Sequence, residues 1–121
     1  MLAMKPRPLS LTVLSWLFIV FGAIALVAGL WPLIHMNSAE RVVEFEKHWM
    51  VHLSRTAQII AGGFILRGKN WARWLLVVWL AFHVIVGALH STFHLVTHAV
   101  VFAIGMFFLF RPNARDYFRS R

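Results

Sequence analysis

The chain has 121 residues, of which 60% are hydrophobic and 13% are charged, and it contains no cysteine. The absence of cysteine excludes disulfides, thiolate metal sites and iron–sulfur clusters. The formal net charge is +8, but the basic residues flank apolar runs instead of forming a separate basic domain, so we expect no nucleic-acid binding. Length and composition indicate a single integral membrane domain, residues 1–121.

Four apolar segments follow one another along the chain. They cover about residues 9–34, 50–66, 71–89 and 95–110, and the second is the least apolar. The hydrocarbon core of a bilayer is about 30 Å thick and is crossed by roughly 20 helical residues. The sequence therefore predicts an all-α fold, a four-helix transmembrane bundle.

A charged, amphipathic segment, residues 38–49, separates the first two predicted spans. Val42, Phe45 and Trp49 recur at three- and four-residue steps, and Ser38 is placed to cap a helix. We expect a short amphipathic helix here, on the outer side of the membrane. The sequence leaves open whether this segment lies on the membrane or continues into the second span, because no Pro or Gly interrupts the chain before Gly62.

The distribution of basic residues predicts the orientation of the chain. Two basic residues precede the first span, three surround the turn near residue 69 and four lie in the C-terminal tail. The first loop carries only Arg41 and Lys47, and the loop near residue 92 carries none. Because basic residues are retained on the cytoplasmic side, both termini are expected in the cytoplasm.

Small residues on the predicted helices indicate close helix packing. Gly22, Ala25 and Gly29 lie on one face of the first span. Further glycines occur on the other spans, at Gly62, Gly63, Gly87 and Gly105. Such positions let another backbone approach closely, so we expect helix contacts within the chain or between copies.

A polar stripe follows the charged segment into the second span. Its residues, spaced so that they share one helix face, are Glu44, His48, His52, Arg55 and Gln58. Polar groups facing hydrocarbon are costly, so the stripe should face the bundle interior, a wet cavity or another subunit. Arg55 is expected to extend its long side chain towards the outer interface.

Histidines supply the remaining candidate site. Six of the seven fall at or near the predicted outer side, and His83 lies deeper. Because imidazole is the commonest metal ligand, the metal candidates are His48, His52, His83, His90, His94 and His98. Two histidines from different helices, such as His52 or His83 with His98, have the chemistry of axial haem ligands. The alternatives are hydrogen bonding to loops and headgroups, and a proton-linked role.

Two segments carry a resemblance to a protein family. The run from Gly62 to Trp74, which reads GGFILRGKNWARW, combines a glycine-bearing span, a basic turn and Trp-Ala-Arg at the next helix start. The tail from Arg111 to Phe118 reads RPNARDYF. Both resemble segments of small bacterial four-helix inner-membrane proteins of unknown function. The resemblance implies a multi-pass inner-membrane location and no catalytic residues.

These observations favour a structural or accessory membrane protein that associates with itself or with a larger membrane complex in the bilayer. The alternatives are a metal- or haem-binding redox component that uses the outer histidines, and a small transporter or proton-linked sensor. Catalysis is not expected, because the chain has only four acidic residues and none lies in a clearly apolar span. No cofactor is assigned, although haem or a divalent metal suits the histidines.

Overall fold

The computed structural model describes residues 3–120; Met1 and Leu2 of the basic leader and Arg121 of the tail lie outside the described residues. All the secondary structure in the described part of the chain is helical, which confirms the all-α part of the predicted fold class. Its elements are α1 (Leu9–Leu30), a 3₁₀ helix (Trp31–His35), α2 (Ser38–Leu66), α3 (Asn70–His90), α4 (Thr92–Phe110) and α5 (Pro112–Arg119).

Three of the five α-helices in residues 3–120 are long and apolar enough to cross a membrane. These segments are Leu9–His35, Asn70–His90 and Thr92–Phe110. They correspond to the first, third and fourth predicted spans, and the last begins three residues earlier than predicted. The α2 helix is not among them. Its first half is charged, and its second half contains the polar residues His52, Ser54, Arg55, Thr56 and Gln58.

The α2 helix is continuous over 29 residues. Residues 38–49 therefore do not form a separate short helix. Of the two alternatives left open by the sequence, the structure shows the second, in which this segment forms the first turns of the helix that contains residues 50–66. Asn37 rather than Ser38 caps the helix: the Glu40 amide donates to Asn37 Oδ1 over 2.9 Å, and the Asn37 amide donates to a Glu40 carboxylate oxygen over 3.3 Å. This reciprocal cap starts the helix, and no Pro interrupts it before its end at Leu66.

Short connections make consecutive helices antiparallel neighbours. Gly68 forms the turn between α2 and α3 with a φ of 74°, a backbone conformation that favours glycine. Ser91 separates α3 from α4 and caps α4, accepting a hydrogen bond from the His94 amide over 3.2 Å. The helices pack in the order α1, α2, α3, α4, with little contact between α1 and α4.

The two ends of the bundle differ in charge. The first, here called the basic end, holds the starts of α1 and α3, the ends of α2 and α4, and Arg7, Arg67, Lys69, Arg73, Arg111, Arg115 and Arg119. The second, here called the histidine end, holds the opposite helix termini and His35, His48, His52, His90, His94 and His98. Arg41 joins α2 to the 3₁₀ helix at the histidine end by donating to the Leu33 carbonyl over 2.9 Å.

The C-terminal helix α5 was not predicted. Pro112 occupies its first turn, where the missing N–H costs nothing. Ala114, Tyr117 and Phe118 are buried against the basic end. Lys5 forms an ion pair with Asp116 at 3.0 Å, so the leader and α5 lie together. Both ends of the described chain are therefore on the same side of the bundle.

Glycines provide the predicted close contacts, and they do so within the chain. A Cβ on Gly22 would lie 2.8 Å from the Ile59 side chain, and a Cβ on Gly62 would lie 2.9 Å from the Ser15 carbonyl oxygen. Both contacts join α1 to α2. At Gly87 a Cβ would lie 3.0 Å from the His94 carbonyl oxygen of α4. Glycine residues thus lie at close contacts between α1 and α2 and between α3 and α4.

Candidate functional site

The polar stripe of α2 faces α1. Arg55 Nη1 donates to the Ala25 carbonyl over 2.7 Å, and Gln58 Nε2 donates to the Phe18 carbonyl over 2.9 Å. His52 is 8% exposed and stacks on Phe45 with ring centroids 5.6 Å apart. The three inner members of the stripe, His52, Arg55 and Gln58, thus lie against or between helices, whereas Glu44 and His48 near the start of α2 are more exposed.

Arg55 reaches along α1 towards the histidine end. Its backbone carbonyl lies beside Gly22, whereas its guanidinium contacts Gly29, one residue before the end of α1. This is the direction expected for the side chain, and the guanidinium packs on the α1 backbone on the way. Gly29 has no side chain, which leaves room for the guanidinium beside the α1 backbone. The Ala25 carbonyl then supplies an acceptor for a cation that would otherwise be unpartnered in an apolar layer.

A cleft of about 200 Å³ lies between α1 and the first half of α2. Glu44, His48, His52 and Arg55 contribute to its wall. His48 Nδ1 lies 3.1 Å from a Glu44 carboxylate oxygen, and the buried Nδ1 of His52 has no hydrogen-bond partner among the described protein groups. The cleft therefore brings one carboxylate, two imidazoles and one guanidinium together, a set that can bind a small polar molecule or exchange protons.

A tryptophan fixes the other side of α2. Trp79 of α3 donates its indole N–H to the Ser54 carbonyl over 2.8 Å, with Ser54 Oγ 2.9 Å away. Its ring also meets Phe18 edge-on, with centroids 5.6 Å apart. Neither Trp79 nor Ser54 was among the predicted site residues. An indole in the middle of an apolar span needs an acceptor for its N–H. The position of Trp79 in the sequence therefore indicated a hydrogen bond to a neighbouring helix.

Four imidazoles form a row along the α3–α4 pair, here called the histidine ladder: His90, His94, His98 and His83. Their ring centroids are 6.1 Å apart for His90 and His94, 6.4 Å for His94 and His98, and 5.9 Å for His98 and His83. The ladder starts at the exposed turn between the helices and continues to Trp79, whose ring lies 3.9 Å from that of His83.

The structure brings some of the predicted metal ligands together and separates others. His83 and His98, one of the two proposed inter-helix pairs, are neighbours. His52, the alternative partner for His98, lies instead in the cleft between α1 and α2. Within residues 3–120, no group of three or more His, Cys, Asp or Glu residues is arranged to hold a metal ion. Metal binding by these histidines stays a prediction.

An apolar groove of about 380 Å³ opens between α1 and α4. Leu17 and Phe21 of α1 line one wall, and Val101 and Ile104 of α4 line the other. Gln58 also contributes to the lining, but its side-chain N–H is already bonded to Phe18. The bundle is thus not closed on this side, and the groove has the chemistry of a surface that contacts lipid chains or another helix.

No family model matches the chain, and no curated protein or solved structure matches it significantly. Its function must therefore be inferred from its own residues and their geometry.

Proposed function

We propose that the protein is a four-span membrane protein with a structural or accessory role in a membrane assembly. The proposal rests first on the direction of the helices. Both α1 and α3 begin at the basic end and finish at the histidine end. If both cross the membrane, the chain must return between them, and α2 is the only segment connecting them. A four-helix transmembrane bundle follows, with α2 as the second span.

The composition of α2 is compatible with this role because several of its polar groups have partners on the neighbouring helices. Arg55 and Gln58 bond to α1 carbonyls, and the Ser54 carbonyl accepts the Trp79 indole N–H. Polar residues inside membrane proteins characteristically face the bundle and find such partners. The outer surface of the same helix is apolar near its middle, where Leu53 and Ile60 are exposed.

The charge of the two ends supports an orientation. The basic end carries most of the Lys and Arg residues, whereas the histidine end holds Glu40, Glu44 and Glu46. Basic residues next to spans are retained in the cytoplasm. We therefore assign the basic end, with both chain termini, to the cytoplasmic side of a bacterial inner membrane, and the histidine end to the outer side.

The observation that carries the accessory role is the open side of the bundle. The α1–α4 groove is lined almost entirely by apolar side chains, and the polar groups of α2 are engaged in holding the helices together. In a bilayer an apolar groove contacts either lipid chains or another helix, and small residues such as Gly105 in its lining allow a helix to approach closely. A transmembrane helix, from a second copy or from a larger complex, would complete the bundle.

A transport path has less support. The polar cleft ends at Arg55, which is hydrogen-bonded to Ala25. Gln58, the next member of the stripe, is bonded to Phe18. Passage of a solute beyond the cleft would have to break both contacts between α1 and α2.

Native mass spectrometry of the untagged protein, released from lipid nanodiscs, tests the accessory role. The wild-type protein is expected in assemblies heavier than a single chain. Val101→Trp should shift the distribution to single chains, because a large indole would fill the groove. Val100→Trp is the matched control, since Val100 is equally exposed on α4 and does not line the groove. Single chains only in the wild type, or assemblies unchanged in Val101→Trp, would contradict the proposal.

A further inference from the structure

Three of the four rings of the histidine ladder are held with the same nitrogen protonated. His83, His90 and His98 each place Nδ1 within 2.8–2.9 Å of the carbonyl oxygen four residues earlier in the same helix. A carbonyl oxygen can only accept a hydrogen bond, so Nδ1 carries the proton. In the neutral ring the lone pair is then on Nε2.

This arrangement is the one found around metal-binding imidazoles. A ligating histidine usually donates its second ring N–H to a carbonyl or carboxylate, which fixes the ring and leaves the other nitrogen free for the metal. It is less suited to relaying protons, because a relay needs both nitrogens of each ring, and in three of the four rings Nδ1 is bonded to a backbone carbonyl. Nδ1 of His94 lies 2.7 Å from Ser91 Oγ instead. The ladder therefore favours an ion over a proton as its ligand.

The packing between α3 and α4 limits the size of that ligand. Gly87 of α3 lies so close to α4 that an added Cβ would be 2.8 Å from His98 Nδ1 and 3.0 Å from the His94 carbonyl oxygen. A porphyrin would need the two helices to separate here. A single ion does not, since each metal–imidazole bond is only about 2 Å long and the His83 and His98 ring centroids are 5.9 Å apart.

The surrounding residues restrict the kind of ion. Neither α3 nor α4 contains an Asp or Glu residue, and the chain has no cysteine. Calcium and magnesium require oxygen ligands, and these helices offer no carboxylate. Neutral imidazole nitrogens suit copper, zinc and nickel.

We propose that His83 and His98 bind one late first-row transition-metal ion, copper or zinc in character, through their Nε2 atoms. His90 and His94 lead to this site from the exposed turn at the histidine end. His83 lies seven residues before His90, which is about 10 Å along the helix. The remaining coordination positions are open to water or to a small exogenous ligand. The proposal is independent of the accessory role and of the α1–α4 groove.

Copper binding to the untagged full-length protein in nanodiscs tests this assignment. After equilibrium dialysis against Cu²⁺, we expect about one tightly bound ion per chain with imidazole nitrogen couplings in its electron paramagnetic resonance spectrum. His83→Gln with His98→Gln should abolish that signal, and each single substitution should weaken binding at least about tenfold. Zn²⁺ should compete for the site and Mg²⁺ should not.

His48→Gln is the control, because His48 and Glu44 form the most obvious competing site. It should leave the copper signal unchanged. Circular dichroism of every variant establishes that the helices remain folded, and the single substitutions decide the question if the double variant does not fold. The proposal is overturned if the wild type binds no copper, if the folded single variants bind as tightly as the wild type, or if only His48→Gln removes the ion.

Discussion

Tyr117→Ala should destabilise the protein by about 3–5 kcal/mol, the range for removing a buried aromatic side chain. Tyr117 is 1% exposed and belongs to the core at the basic end. Its hydroxyl donates to the Leu66 carbonyl over 3.0 Å, at the end of α2 where helix carbonyls lack intrahelical partners. The substitution removes both the packed ring and this hydrogen bond.

Tyr117→Phe separates the two contributions. The ring stays and the hydroxyl is removed with its contacts to the Ile65 and Leu66 carbonyls, so we expect a cost of about 0.5–1.5 kcal/mol. The measurement is helix content by circular dichroism as the folded protein in mild detergent is titrated with sodium dodecyl sulfate. Equal stabilities of Tyr117→Ala and the wild type would mean that α5 does not dock on the bundle as described.

Gly62→Ala should also destabilise the protein, by about 1–3 kcal/mol, the usual cost of overpacking. The added methyl would lie 2.9 Å from the Ser15 carbonyl oxygen and 2.8 Å from the Ile19 side chain. Ile19 can adjust its rotamer, but the carbonyl belongs to the α1 backbone. The two helices must therefore move apart, and the contacts of Arg55 and Gln58 with α1 would be weakened with them.

The neighbouring glycine provides a matched control. A Cβ on Gly63 would meet nothing within 4 Å. Because alanine favours helix over glycine by up to about 1 kcal/mol, Gly63→Ala should leave the stability unchanged or raise it. Both variants are measured in the same detergent titration. If Gly62→Ala proves as stable as Gly63→Ala, the close packing of α1 on α2 is incorrect.

Much of this architecture could be predicted because it depends on local composition. The apolar runs predicted the three helices that are long and apolar enough to span a membrane, and the glycines predicted close contacts. A loop near residue 92 was also predicted, and the structure places the turn at Ser91. These features need no knowledge of which helix lies beside which. The placement of Glu44, His48, His52 and Arg55 on one helix face could be predicted in the same way, because it requires only that the helix be continuous.

The remaining features depend on tertiary packing. Whether residues 38–49 form their own helix was not decided by spacing, and the cap at Asn37 together with the uninterrupted chain made α2 continuous. The guanidinium of Arg55 packs on the α1 backbone because Gly29 leaves room for it. The α5 helix is short and charged, and its few apolar residues are buried only because they pack against the core at the basic end.

For the histidines, the candidate residues could be predicted from the sequence, but which of them lie together could not. Their spacing marked all four members of the ladder as candidates, but the turn at Ser91 broke the helical alignment on which that spacing depends. Packing at Gly87 then brought His98 of α4 close to His83 of α3. Only the structure distinguishes this pair from the alternative pair of His52 and His98.

The central claim is that the chain crosses the membrane four times, with α2 as the second span, and single-cysteine accessibility tests it most directly. The chain has no native cysteine, so one substitution at a time reports one position. In intact cells, an impermeant maleimide should label Ala39→Cys and Ser91→Cys at the histidine end. Lys69→Cys and Asn113→Cys should react only after the membrane is permeabilised. Labelling of Lys69→Cys together with Ala39→Cys in intact cells would contradict the account, because α2 would then not cross the membrane.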